Sequence, residues 1–199
     1  MELRDLLRAR RMVRSFETTP VPADVLERVV RSGLRAPSAG YTQGSSFIVL
    51  VGPEETGRYW DVALPRSERA AFRWPRLLDA PALVLCLSSQ EAYIDRYAEP
   101  DKGWTDRDAG RWPVPYWHVD AGMAAMLILL AAIDAGLGAL FFGVFDPAPV
   151  RRAFGIPEEH TIIGAIALGY AAPGDRPSAS LARGRRPVGD AIRRGRWAD

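Results

Sequence analysis

Residues 121–133, "AGMAAMLILLAAI", place apolar side chains around the whole circumference of a helix. Such a helix must be covered on every side. The run falls short of the ~20 residues that cross a bilayer, and Asp120 and Asp134 close it. It therefore predicts a core helix from about His118 to Ala135, in a protein with no membrane partner. The chain has 199 residues, 48% of them apolar and 25% charged. That is the balance of one globular domain with a core of its own.

The other elements follow from periodicity. Residues 2–9 have a short helical pattern. A second helix is expected from about Ala23 to Leu34, with Val25, Leu26, Val29, Val30 and Leu34 on one face, Pro22 at its start, and Gly33 and Pro37 at its end. "SFIVLV" (46–51), "ALVLCLS" (82–88), "GLGALFFGVF" (136–145) and "TIIGAIALGY" (161–170) read as strands. The second is a continuous apolar run, the mark of a strand buried on both faces. A weaker helix lies near 54–63, and "DPAPVRRAFG" is a short helix with Asp146 as its N-cap. Residues 92–117 read as an irregular insertion rich in Trp, Pro and Tyr, and an extended arm begins at about 172. No repeat or linker divides the chain, so residues 1–199 form a single α+β domain.

Several chemistries are excluded. The single cysteine, Cys86, lies in an apolar run and is expected to be a buried, inert thiol in a reducing compartment. The N-terminal stretch has no apolar signal core, which predicts a cytoplasmic protein. "GLGALFFG" follows a helix and opens a strand, the reverse of a dinucleotide fingerprint. His118 and His160 are far apart with no cysteine or histidine cluster, so no metal is expected. No Ser/His/Asp arrangement is present.

Three islands remain. Arg10, Arg11 and Arg14 end the first helix. The segment "RAPSAGYTQGSS" (35–46) offers small residues, hydroxyls and backbone N–H groups where a tight turn would suffice. Arg183 and Arg185 lie in the tail "LARGRRP". All but one of the 26 basic residues are arginine, Lys102 being the exception. Coding bias produces such a composition; so does a need to grip phosphate with planar forks. The islands supply donors without a general acid, base or nucleophile, as expected around a cofactor that carries its own chemistry. A net charge of only +2 and a tail without interleaved aromatics argue against nucleic acid.

In chain order, "RRMVRSF" with "PVP" at 20–22, "APSAGYTQ", "LLDAPALVLC", "DAGLGALFFGVFD", "FGIP", "ALGY" and "RGRRP" resemble the nitroreductase family of flavin enzymes. The resemblance runs nearly the whole chain. It implies a mixed central sheet flanked by helices in an intertwined homodimer that binds FMN. It also implies ping-pong hydride transfer from NADH or NADPH to nitro compounds, quinones or similar electron-poor acceptors. Arg10, Arg183 and Arg185 align with residues that hold the FMN phosphate, with Arg11 beside them. Arg14 and Arg76 align with cations at the flavin pyrimidine edge, and Arg73 with a polar residue there. Pro37, Ser38, Ala39, Gly40 and Gln43 resemble the segment that packs on the isoalloxazine and ribityl chain. Phe141, Phe142, Gly143 and Val144 match a strand whose backbone reaches flavin N5 and O4.

Departures from the family pattern carry information. Met12 stands where a serine is common, Tyr41 replaces the usual asparagine, and Gly44 a usual proline. Tyr41 either lines the substrate side or packs at the dimer interface. Residues 92–117, with Trp104 and Trp112 facing acceptor, are either a lid or a small satellite core. Family relatives that fragment flavin, or oxidise or dehalogenate dedicated substrates, supply an alternative function. A flavin-binding protein without turnover is another.

Overall fold

A computed structural model describes residues 1–197. The helices are α1 (Leu3–Ala9), α2 (Ala23–Arg31), α3 (Gly52–Ala63), α4 (Arg66–Arg69), α5 (Gln90–Ala98), α6 (Tyr116–Asp134), α7 (Pro147–Phe154) and α8 (Val188–Ala191). The strands are β1 (Ser45–Val51), β2 (Ala82–Ser89), β3 (Gly138–Phe142) and β4 (His160–Gly169), in the spatial order β1-β2-β4-β3.

Every residue of β2 is buried, so the continuous apolar run is a central strand covered on both faces. Alternate side chains feed separate cores. Leu83, Leu85 and Leu87 pack with Trp60, Leu140 and Val150 on the face covered by α3 and α7. Ala82, Val84 and Cys86 pack with Val29, Ile128 and Leu168 on the face covered by α2 and α6. Burial of each larger side chain contributes roughly 1.5–3 kcal/mol.

The structure differs from the sequence reading at four points. All strand pairs are antiparallel. The parallel component of the expected mixed sheet is reduced, among the described residues, to a one-residue bridge between Met12 and Ala139. The α-helical part of α2 ends at Arg31, and a 3-10 turn carries Ser32–Arg35. The insertion is helical through Ala98, because Ser89 caps α5 by accepting the Ala92 N–H at 3.2 Å. Finally, α6 is not covered all round: Val119, Met123 and Met126 remain about 40% exposed and follow one another at helical spacing.

At β4, Gly164 lies beside a register shift between Cys86 and Leu87. A methyl group there would sit 2.8 Å from the Phe142 carbonyl oxygen and against the Phe141 ring. Backbone cannot give way as a flexible side chain can. Gly164→Ala is expected to cost about 2 kcal/mol and lower Tm by roughly 4–8 °C. A thermal melt within 1–2 °C of the parent would show that the strand relaxes around the methyl group.

Candidate functional site

The segment after α1 reaches the sheet because the Val13 N–H donates to the Ala139 carbonyl, at 3.0 Å, on the free edge of β3. This brings Arg10, Arg11, Met12 and Arg14 opposite the returning C-terminal arm. Together with Pro177, Ser178, Leu181 and Arg185 they line a cleft of about 220 Å³. Asp175, its side chain only 2% exposed, pairs with Arg11 and accepts the Arg14 N–H at 2.9 Å. Arg10 and Arg185 have no carboxylate partner among the described residues. The cleft therefore keeps a net positive charge after Asp175 is counted, which suits a phosphate dianion.

Arg183 does not line this cleft. An extended tail would turn Arg183 and Arg185 the same way across Gly184. Instead Arg183 ends a 3-10 turn (Ala179–Arg183), and Gly184 has φ 70°. The turn directs Arg185 alone to the cleft.

Trp74 organises the neighbouring cations. The guanidinium groups of Arg14 and Arg73 lie 5.3 and 5.0 Å from its ring centroid, within cation–π range. Arg14 also donates to the Met12 carbonyl at 3.1 Å. Arg76 donates to the Phe16 carbonyl at 3.0 Å and to Asp79 at 3.3 Å. Arg14, which lines the cleft, and Arg73 thus share one ring, while Arg76 is held separately with Asp79 as its counter-ion.

The small-residue loop is a strained turn. Gly40, Tyr41 and Gln43 have φ of 64°, 55° and 56°. The left-handed region costs a residue with a side chain roughly 1–2 kcal/mol. Offsetting bonds run from Gln43 N–H to Ser38 Oγ (2.9 Å) and from Thr42 Oγ1 to the Ala39 carbonyl (2.6 Å). Pro37, Ser38 and Gln43 border a small hollow of about 40 Å³. Tyr41 is 77% exposed and aimed at solvent.

On β3, the Phe142 ring stacks on Trp60 at 5.7 Å, and Phe141 packs with the core on the α6 face. Their side chains are structural, leaving backbone as the available chemistry. Gly143 is exposed and Val144 half-buried at the strand's end.

One chain does not bring these groups to one place. Met12 sits at the Ala139–Leu168–Ala82 level on the β3 edge. The 37–43 loop enters β1 at Ser45, opposite Ser88, on the other edge. At ~3.3 Å per residue and ~4.8 Å per strand, the two corners are roughly 25 Å apart. Trp104 and Trp112 belong to the loop's corner. They pack in an aromatic cluster where Trp112 contacts Tyr93, Tyr97, Trp104, Tyr116 and Trp117 at 4.5–6.3 Å.

The chain matches the nitroreductase family model over residues 7–170. It belongs to the nitroreductase family. An NADH dehydrogenase of Thermus thermophilus is 29% identical over 191 residues, covering 86% of this chain and 88% of that relative. Among solved structures, a nitroreductase family protein of Clostridium difficile 630 superposes with TM-score 0.73 at 20% identity, covering 99% and 100% of the two chains. A chain from Exiguobacterium sibiricum 255-15, solved in complex with FMN, gives TM-score 0.73 at 18% identity over 97% of each. At these identities the structural likeness establishes the nitroreductase fold.

The residues that hold the site together were less visible in sequence. Asp120, 3% exposed, accepts the Ala39 N–H at 2.8 Å and the Tyr93 hydroxyl at 2.6 Å. Burial, then that bond to Asp120, pushes the Tyr93 phenol well above the usual range. His118 is held by Trp117 Nε1, which donates to Nε2 at 3.2 Å, and by Ser88 Oγ at 2.9 Å from Nδ1. Burial lowers its pKa and so favours the neutral ring, and the Trp117 N–H donating into Nε2 leaves the ring proton on Nδ1, facing Ser88 Oγ. Cys86 is fully buried and its thiol is pushed up to about 12 by burial, so it is no nucleophile at neutral pH.

Asp175 is the clasp between arm and arginine segment. Hydrogen bonds to charged groups contribute roughly 1.5–3 kcal/mol, so Asp175→Ala should free the arm at least tenfold more often. Limited tryptic digestion should then cut within 176–186 correspondingly faster, with the sheet still intact. An unchanged cleavage rate would assign the arm's docking to other contacts.

Proposed function

We propose that this protein is a homodimeric FMN-dependent oxidoreductase that passes hydride from NADH or NADPH to nitro, quinone or similar acceptors. The observation that carries this reading is the arginine cleft, formed where the arm closes on the N-terminal segment of a nitroreductase-family chain. Arg10, Arg185 and Ser178 are the groups to hold a phosphate: two planar forks and a hydroxyl, with Arg11 already neutralised by Asp175. FMN, when bound, supplies the hydride-accepting and hydride-donating chemistry, so no protein nucleophile is required.

The chain's own residues then have defined tasks. Arg14, braced by Trp74 and the Met12 carbonyl, is a fixed cation that favours negative charge on a reduced flavin, and Arg76, held by the Phe16 carbonyl and offset by Asp79, contributes less. Gly143 at the end of β3 lets a ring approach backbone without meeting a Cβ. Reductant and acceptor would use one exposed face in turn, a ping-pong cycle.

A second copy completes the site in this reading, because the 37–43 loop and the cleft of one chain lie too far apart to embrace one FMN. The exposed stripe of α6, Val119, Met123 and Met126, supplies an interface. So does the unpaired edge of β1, where Val49 and Val51 border an apolar groove of about 330 Å³ with Val21, Leu26 and Val30. The arm carries matching exposed residues, Val188, Ile192 and Trp197, and its exchange between copies would intertwine them.

Arg185→Ala and Arg10→Ala should each weaken FMN about 10- to 100-fold, as expected for losing a charge-assisted bond. Arg193 donates to the Gly189 carbonyl at 2.7 Å and lies over Trp197, outside the cleft, so Arg193→Ala is the control. Flavin absorbance after dialysis reads the result, and equal losses in all three would reject the phosphate assignment. Separately, sedimentation should give a dimer at low micromolar concentration. A stable folded monomer that still turns over NADH or NADPH would reject the shared site.

A further inference from the structure

The segment between β2 and α6 is more firmly built than a loop that opens and closes. Trp104 N–H donates to the Tyr97 carbonyl at 2.8 Å. Arg96 forks onto Asp101 at 2.7 and 2.8 Å, and Arg107 pairs with Glu91 and Asp95. Trp112 fills the centre of the aromatic cluster. Three contacts then leave this unit for the strained loop. Arg96 Nε donates to the Gly40 carbonyl at 2.9 Å. The Tyr97 ring lies under Gly40 so closely that a Cβ would be 2.7 Å from it. Tyr93 donates to Asp120, whose same oxygen Oδ2 takes the Ala39 N–H.

We propose that Asp120 and Arg96 are positioning residues that hold the 38–43 loop, and Tyr41 on it, in a fixed left-handed posture for acceptor binding, with the aromatic segment as their rigid template. The inference rests on the oxidoreductase reading for its functional half and on the structure alone for the clamp. Asp120 is buried, pairs with no cation among the described residues, and both donors that reach Oδ2 come from groups that shape the loop. Ala39 belongs to the loop itself, and Tyr93 links it to the aromatic unit. With Ala39 and Gly40 held from both sides, Tyr41 has little choice but to project outward. Trp104 and Trp112 act on acceptor through this posture and not by contact.

The test uses the full chain with FMN added and three variants. Asp120→Asn keeps an oxygen with two lone pairs for both donors, whereas Asp120→Leu keeps the volume and loses the acceptor. Arg96→Ala lies outside both sheet cores and loses its fork onto Asp101 as well as its bond to the Gly40 carbonyl, so it still answers should Asp120→Leu fail to fold. Hydrogen–deuterium exchange of the 38–44 peptide should rise on the order of tenfold in Asp120→Leu and Arg96→Ala and stay near wild type in Asp120→Asn, as expected when each of the first two loses about one hydrogen bond to the loop itself. With FMN held saturating, acceptor KM should rise by a similar factor in the same two variants, with kcat within about twofold. Wild-type loop exchange in Arg96→Ala, or equal impairment by Asn and Leu at 120, overturns the clamp. Faster loop exchange with unchanged acceptor KM overturns its role in acceptor binding. A protein without flavin turnover that keeps the expected exchange pattern rejects the oxidoreductase reading and supports the clamp.

Discussion

Everything else in this chain is arranged around the complete burial of β2. A strand hydrogen-bonded to β1 and β4 and apolar on both faces obliges the molecule to build two cores. Helices α2 and α6 supply one cover and α3 and α7 the other. With β2 and β4 inside, β3 becomes an edge, and its free backbone groups accept the segment carrying the arginines. The Val13–Ala139 bond anchors that segment to the stiffest part of the fold. A cationic cleft attached in this way inherits the sheet's rigidity, and charged donors need that pre-organisation to bind an anion without a large entropic cost.

The cleft's electrostatics show which charges are structural. Asp175 is nearly inaccessible, and it both pairs with Arg11 and takes the Arg14 N–H. It therefore removes one arginine from ligand duty while drawing the arm inward. Arg185 gains its place by this folding back, not by its spacing from Arg183. The same division holds at Trp74, where two cations share one ring. A cation stacked on an indole and tied to a carbonyl cannot wander, and the field it presents is fixed.

How much of this was legible follows from the range of each interaction. Local signals served well: the apolar run of β2, the Asp146 cap of α7 and the amphipathic spacing of α2 all lie within a few residues. Helix α5 was masked because its aromatic residues, Tyr93 and Tyr97, face a satellite cluster and not the main core, so the segment lacks an aliphatic stripe. Its Ser89 cap, followed by aromatics at i and i+4, was the signal available. Asp120 read as a boundary to an apolar helix; its partners Ala39 and Tyr93 are 81 and 27 residues away. Asp175 binds across 161 and 164 positions. No pattern in the sequence announces such pairs. The arginines and the small-residue loop were legible as chemistry, but not the fact that one chain holds them at opposite corners.

Three features are costly in an isolated chain. An apolar stripe on α6 and an open β1 edge with exposed valines are liabilities for solubility and aggregation, and the strained loop is a liability for stability. On the proposed assembly each has a use. The stripe and the edge bring a second copy into place, and the loop of that copy meets the cleft of the first. The aromatic unit between β2 and α6 then matters because the loop must hold its shape before the partner arrives. A loop that relaxed in the free chain would have to be reordered on association, and the affinity of both dimer and ligand would fall by that amount. On that assembly the buried carboxylate of Asp120 would sit where it does most: on the helix that would form the interface, holding the loop that would cross it.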